Sequence, residues 1–360
     1  MAWGLALGVG AVVLRELVRP RQQQTRLIDW EKVEEVAMAR SGENTEVAVE
    51  RSVIEAYDAI AAELEPMLGK ALGSGTALAG SRLYPGLTPV GRRQWVRFNI
   101  RIFRQMFAPL ERLQRMIPGS VMVSFGSRSI SRYLGLMLGL LARRVLGQYD
   151  PALLGHEPVE TNSLILVEPN VQAWAAKDHL PVDELRRWLA MHEMTHAWEF
   201  KAHPWLQSYL EGLLGEVLIG NLADGRRPTT LELIRTLTVG VGQQWKAITK
   251  VQAVMSLLEG YSNLVMNDIG RQALPHFGLL ETAYHRRQQQ RTPIEKAFLR
   301  LTGMEMKMRQ YVQGERFCRE VRENGGQELL ARVWEGPQML PTLSEIQRPQ
   351  LWVERARTAA

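Results

Sequence analysis

The chain has 360 residues, enough to bury a sizeable core as one large domain or two smaller ones without disulfides or repeats. Hydrophobic residues make up 46% and charged residues 23%, the proportions of an ordinary globular protein, which excludes a disordered chain. The single cysteine, Cys318, excludes an intrachain disulfide framework and fits a reducing compartment, so we expect a cytoplasmic protein. The net charge of +6 accompanies no aromatic-interleaved basic motif, so we expect no nucleic-acid partner.

The first 26 residues form an apolar and then basic segment. Residues 3–14 are apolar, and arginines follow at positions 15, 19 and 21. This run is shorter than the roughly 20 apolar residues that span a membrane, and its positive charge follows the run, unlike the charge of a signal peptide. We expect a packed or frayed terminal helix, with membrane contact through residues 1–25 as the alternative.

Helical periodicity dominates the chain up to residue 154. Apolar residues recur with helical spacing in three stretches, and a fourth stretch is the most apolar helix candidate of the chain. A glycine-rich connection at 69–80 separates the second stretch from the third. The predicted helices are 27–38, 45–68, 92–115 and 133–146. Residues 147–161 are rich in turn formers and are predicted to be a loop.

The clearest strand candidate is the segment 163–171, which contains a Leu-Ile-Leu-Val run. It lies just before the helix that carries the histidines described next. An edge strand in that place would hold an extended peptide by main-chain hydrogen bonds.

Residues 185–205 contain the sequence His192-Glu193-Met194-Thr195-His196. An α-helix advances about 100° per residue, so both histidines lie on one face, a turn apart, and can reach one Zn²⁺. Glu193 stands beside that metal and is suited to handling the proton of a zinc-bound water. The alternative is a partly buried helix whose histidines only hydrogen-bond to neighbours.

A catalytic zinc usually takes three protein ligands, so a third must come from elsewhere in the chain. Glu259 lies in an apolar helical stretch, where a lone acid is costly unless it is paired or bound to metal. Glu199, His203 and His285 are the rival ligands. The surrounding residues 206–222, 231–239 and 243–265 are predicted to be helical.

Several separate blocks resemble the DUF2342 family of zincin-like zinc-dependent metallohydrolases, sometimes labelled as associated with coenzyme F420 biosynthesis. The blocks include Ile28-Asp29-Trp30, Leu166-Val167-Glu168-Pro169-Asn170, Trp188 through Phe200, Leu258-Glu259-Gly260 and the C-terminal runs at 303–312 and 340–346. The similarity covers residues 27 to 355. It implies a zincin-like fold and a gluzincin ligand set of His192, His196 and Glu259, with Glu193 as general base.

The chain departs from that family beyond the glutamate ligand, where His and then Asp are frequent at positions two and four residues on. Tyr261 and Asn263 occupy these positions here. In related gluzincins the acid supports a metal-bound histidine, and Asn263 can accept a hydrogen bond but polarises an imidazole less. Tyr261, His285 and Tyr311 are candidates to stabilise the oxyanion, and no spacing argument selects one.

These observations predict an α+β protein that is predominantly α-helical, with a helical region at 27–154 and a zincin-like catalytic region at 155–360. The position of the boundary between the two regions is approximate, and the alternative is that both regions form one compact unit. We expect one Zn²⁺ per chain and a peptide or protein substrate cleaved at a peptide or amide bond. The competing interpretation is a non-catalytic zincin scaffold that binds a protein or membrane, its zinc site structural or vestigial.

Overall fold

A computed structural model describes residues 28–43, 48–72, 86–116, 124–149, 164–218, 230–289 and 304–359. Helices dominate these residues and a small sheet accompanies them, which confirms the predicted α-rich α+β class. The helices are α1 Trp30–Arg40, α2 Arg51–Ala71, α3 Arg92–Met116, α4 Ser124–Ala142, α5 Glu168–Asp178, α6 Val182–Ala202, α7 Pro204–Leu218, α8 Thr230–Ala273, α9 Phe277–Gln289, α10 Met304–Ala331, α11 Leu343–Gln347 and α12 Pro349–Thr358.

Most of the predicted helices are confirmed with shifted ends. The stretch 92–115 matches α3 almost residue for residue, whereas α4 begins earlier than predicted and ends at Ala142. The helices expected at 231–239 and 243–265 form one continuous helix, α8. No helix among the described residues is long and apolar enough to cross a membrane. The segment 1–26 and most of the connection at 69–80 lie outside these residues.

The sheet has three strands: β1 Leu87–Val90, β2 Gly147–Tyr149 and β3 Leu164–Val167. Strand β3 lies between β1 and β2. Strand β1 pairs with β3 in parallel and β2 pairs with β3 in antiparallel fashion. The predicted strand at 163–171 is therefore β3, shortened because helix α5 begins at Glu168 with a proline in its first turn.

Two parts of the strand prediction were wrong. Strand β3 is the central strand of the sheet rather than an edge strand. Residues 147–149, predicted to be a loop, form the edge strand β2, and residues 150–161 lie outside the described residues. Strand β2 has only three residues, Gly-Gln-Tyr, so it carries no run of apolar or β-branched residues that a sequence pattern detects.

The two faces of β3 divide the interior into two hydrophobic clusters. Leu164 and Leu166 point into the larger cluster, and Ile165 and Val167 point into the smaller one, as the alternation of side chains along a strand requires. Helices α1, α3 and α4 pack the smaller cluster. Helix α2, from the predicted N-terminal region, packs with α6 in the larger cluster, so one core crosses the predicted boundary near residue 155.

Helix α6 lies in the larger cluster and is anchored at its beginning by buried charges. Arg186 makes a short ion pair with Glu168 of α5, and both side chains are almost fully buried. The hydroxyl of Tyr57 in α2 donates to Glu168 at 2.7 Å. Three helices are thereby joined close to the start of the histidine helix.

Helix α8 runs beside α6 and crosses α10 at very short range. A Cβ on Gly314 of α10 would lie 1.8 Å from the carbonyl oxygen of Ser256 in α8, so the crossing requires glycine at this position. This contact fixes the part of α8 that carries Glu259.

Candidate metal centre

Helices α6 and α8 bring three predicted ligands together. The Nε2 atoms of His192 and His196 are 3.2 Å apart, and the Glu259 Oε2 atom lies 3.5 Å and 4.0 Å from them respectively. Ligand nitrogen and oxygen atoms about 2.1 Å from a tetrahedral zinc are about 3.4 Å from one another. The triangle therefore fits one zinc ion, and all three residues are partly exposed, which leaves the centre open on one side.

The Glu259 carboxyl is held in its ionised form. Burial alone would raise its pKa, but the hydrogen bond from His192 and the electrostatic interaction with both histidines outweigh burial and hold the pKa at about 2. A carboxyl group must be deprotonated to bind a metal, so Glu259 carries the charge that a ligand needs at neutral pH.

Glu193 lies next to the histidines and is buried against the edge strand β2. A Cβ added to Gly147 would lie 2.3 Å from the Glu193 Oε1 atom, so the carboxyl group rests directly on the strand backbone. Burial raises the pKa of Glu193, the charges of His192 and His196 lower it, and Glu259 raises it further; the net shift is upward. The upward shift increases the proton affinity of the carboxylate, which suits a group that takes up a proton from water.

The second ring nitrogen of His196 is held by Glu199 and Ser262. The Nδ1 atom lies 2.7 Å from Glu199 Oε2 and 3.1 Å from Ser262 Oγ, and the serine hydroxyl donates to Glu199 Oε1 at 3.4 Å. Burial raises the pKa of Glu199 well above its ordinary value. Glu199, considered as a rival zinc ligand, thus contacts the ring nitrogen on the far side from Glu259.

Sequence reasoning missed Ser262 and considered Glu199 only as a rival zinc ligand, although the spacing of both residues carried a signal. Glu199 follows His196 by three residues on α6, and Ser262 follows Glu259 by three residues on α8. Residues three apart on a helix share a face. Both side chains therefore lie on the helix faces that carry the ligands.

Tyr261 and His203 lie in an aromatic cluster with Trp198 and Trp334. The Tyr261 ring stacks on Trp198 at 5.8 Å, and the His203 ring stacks on Trp334 at 4.8 Å. Tyr261 is two residues from Glu259, so it points to the opposite side of α8. Burial raises the pKa of Tyr261 and lowers the pKa of His203 to about 4. The structure does not bring either residue to the metal ligands.

The remaining predicted site residues are placed as follows. His285 is exposed on α9, where its ring contacts Tyr284. Tyr311 falls in α10 outside the residues whose side chains the structure describes. Asn263 is buried, and among the described residues neither its Oδ1 atom nor the Nδ1 atom of His192 has a hydrogen-bond partner. The role predicted for Asn263 therefore stays a prediction.

Comparison with known proteins identifies a matching family and a similar solved structure. A family model described as zincin-like metallopeptidase matches residues 28–353. A crystal structure from Chloroflexus aurantiacus, described as that of "a putative hydrolase with a novel fold", has 34% sequence identity and a TM-score of 0.70, and the match covers 91% of this chain and 98% of that one. No curated protein matches the sequence.

Proposed function

This chain belongs to the zincin-like metallopeptidase family, and from that premise we propose that it is a zinc-dependent hydrolase that cleaves peptide or amide bonds. The similar structure from Chloroflexus aurantiacus, described as that of "a putative hydrolase", supports the broader class. The observation that supports this proposal most directly is the triangle formed by His192, His196 and Glu259, with the buried carboxyl group of Glu193 beside it. Within the family we further propose the relation to DUF2342 that the sequence blocks suggest.

In this proposal His192, His196 and Glu259 hold one zinc ion per chain. When bound, zinc lowers the pKa of water and withdraws electron density from a carbonyl group. The ionised Glu259 carboxylate supplies the negative charge among the ligands. Two neutral imidazoles and one carboxylate leave the site with a net positive charge, which favours an electron-rich carbonyl oxygen.

Glu193 moves the proton. Its carboxylate takes a proton from the water that attacks the carbonyl carbon, and it gives that proton to the amide nitrogen as the carbon–nitrogen bond breaks. The products are a carboxylic acid and an amine. Burial against Gly147 supports this role because it raises the proton affinity of the carboxylate and limits its movement.

We assign the peptide to strand β2 rather than to β3. Strand β2 pairs with β3 along one edge, and its other edge pairs with no strand among the described residues. An extended peptide added to that edge would gain main-chain hydrogen bonds and pass next to Glu193. Gln148 keeps β2 in register, because its side-chain oxygen accepts hydrogen bonds from Trp95 at 2.8 Å and Asn99 at 3.1 Å.

The test is cleavage of a broad peptide library by zinc-loaded protein, read by mass spectrometry, with Glu193→Gln as the decisive variant. We expect cleavage by the wild type and a loss of about 100- to 10,000-fold in Glu193→Gln, with zinc content unchanged. Glu354→Gln, an exposed change on α12, is the matched control and should retain full activity.

Two results would contradict the proposal. Full activity in zinc-loaded Glu193→Gln would remove the residue from the proton transfer. A wild type that is fully loaded with zinc but cleaves no peptide would favour the non-catalytic scaffold that binds a protein or membrane.

A further inference from the structure

We infer that Glu199 and Ser262 are positioning residues that fix the ring of His196 and its tautomer, so that zinc affinity depends on both. The inference rests on the proposed zinc site but concerns residues that the proposal does not use. It makes the two histidine ligands unequal: His196 is held by an acid and a hydroxyl, and His192 has no such support among the described residues.

The contact at Nδ1 of His196 decides which ring nitrogen keeps the proton. A neutral imidazole has one N–H and one lone pair, and the partner of one nitrogen decides which nitrogen keeps the proton. The Nδ1 atom faces Glu199 Oε2 at 2.7 Å, and in the arrangement we infer this oxygen accepts the Nδ1 proton. The lone pair is then left on Nε2, the atom that lies 3.2 Å from His192 Nε2 and 4.0 Å from Glu259 Oε2.

Ser262 links α6 and α8, the two helices that carry the metal ligands. Its hydroxyl donates to Glu199 Oε1 at 3.4 Å, and its oxygen lies 3.1 Å from His196 Nδ1. Glu199 belongs to α6 and Ser262 to α8, three residues beyond the ligand Glu259. One contact therefore ties the orientation of His196 to the helix that supplies the third ligand.

The burial of Glu199 makes its contact with His196 more important. Glu199 and Ser262 have no exposed surface, and a carboxyl group in such a place is costly unless its oxygens are hydrogen-bonded. Both Glu199 oxygens have partners in the described residues, and one of those partners is His196. A cation on the opposite ring nitrogen would strengthen this contact, since a carboxylate that accepts from a ligand histidine raises the basicity of the ring.

His192 provides the contrast within the same site. Its Nδ1 atom is buried and has no hydrogen-bond partner among the described residues. The loss of Glu199 should therefore remove the single carboxylate in the described structure that orients a ligand imidazole from behind.

The experiment measures zinc affinity and the tautomer separately. Competition with a chromogenic chelator gives the zinc dissociation constant of the wild type, Glu199→Gln and Ser262→Ala. We expect affinity to fall about 10- to 100-fold in Glu199→Gln, the range typical of lost outer partners of metal ligands. We expect a smaller fall, about 5-fold, in Ser262→Ala, which removes one hydrogen bond.

Two matched controls distinguish positioning from packing. Ser256→Ala removes another buried serine of α8, whose hydroxyl donates to Gln252 O at 2.8 Å, and Glu345→Gln changes a buried carboxyl group on α11. Both should lower the stability of the fold and leave zinc affinity unchanged. A loss of affinity in Ser256→Ala equal to that in Ser262→Ala would show that the serine acts only through packing.

The tautomer is read in the metal-free wild type by long-range ¹H–¹⁵N NMR of the histidine rings. We expect the His196 proton on Nδ1. A proton on Nε2, or unchanged zinc affinity in a folded Glu199→Gln, would overturn the inference. If the wild type binds no zinc, the zinc site of the proposed function is refuted, whereas the tautomer measurement still decides whether Glu199 orients His196.

Discussion

Gly147 is the position where one added methyl group should separate zinc binding from hydrolysis. In Gly147→Ala the new Cβ would lie 2.3 Å from Glu193 Oε1 and 2.7 Å from its Cδ and Cγ atoms. Ordinary contacts of this kind are about 3.5 Å or longer, so the carboxyl group must move by about 1 Å. The strand cannot yield easily because Gln148, the next residue, is fixed by Trp95 and Asn99.

A displacement of about 1 Å at a catalytic group costs about 100-fold in rate. We therefore expect Gly147→Ala to cleave peptides about 100-fold more slowly while it binds one zinc with wild-type affinity, since the three atoms nearest the added Cβ all belong to Glu193 and none to a ligand. Peptide cleavage by mass spectrometry and chelator competition give the two quantities. Gly86→Ala is the matched control, because Gly86 immediately precedes β1 and nothing lies within 4 Å of its added Cβ.

Wild-type activity in Gly147→Ala would refute the reasoning, because it would mean that the position of Glu193 against β2 does not matter. A parallel loss of zinc affinity would also refute it. That result would show that the substitution disturbs the whole α6 helix and not the Glu193 carboxyl group alone.

Two further predictions concern stability. Arg186→Ala removes the cation that pairs with the buried Glu168 carboxylate and should lower the free energy of unfolding, measured with urea, by about 3 kcal/mol. Arg187→Ala breaks an exposed pair with Glu63 and should lower it by less than about 1 kcal/mol. Equal losses would contradict the role of burial. Burial lowers the pKa of His203 from 6.5 to about 4, so the unfolded chain binds a proton that the folded chain does not, and stability falls as the pH drops from 6.5 towards 4. The stability lost between pH 7.5 and pH 4.5 should be about 1 kcal/mol smaller in His203→Phe than in the wild type, allowing for solvent screening, as measured by urea unfolding at both pH values. The same loss in both proteins would contradict this prediction.

The sequence was sufficient for the features that repeat along one helix. The periodicity of 92–115 predicts α3, and His192 and His196 must share a face once α6 is helical. Glu259 was found through the cost of an acid in an apolar helix, and its approach to both histidines agrees with that argument. The predicted zincin-like family and the predicted α-rich α+β class are confirmed as well.

The sequence was insufficient where the site depends on contacts between elements. Strand β2 is three residues long, and its edge position depends on pairing with β3, which no local pattern encodes. The contact of Gly147 with Glu193 arises from the packing of β2 against α6. Ser262 reaches His196 from another helix, so its role needed the relative placement of α6 and α8.

The most direct test of the account is the zinc content of purified wild-type protein beside Glu259→Ala, measured by elemental mass spectrometry with protein quantified by amino-acid analysis. We predict about one zinc per wild-type chain and a clear loss in the variant, because two histidines alone do not complete a catalytic site. Zinc retained equally in both proteins would contradict the three-ligand centre, and no zinc in the wild type after reconstitution would contradict the zinc-dependent hydrolase itself.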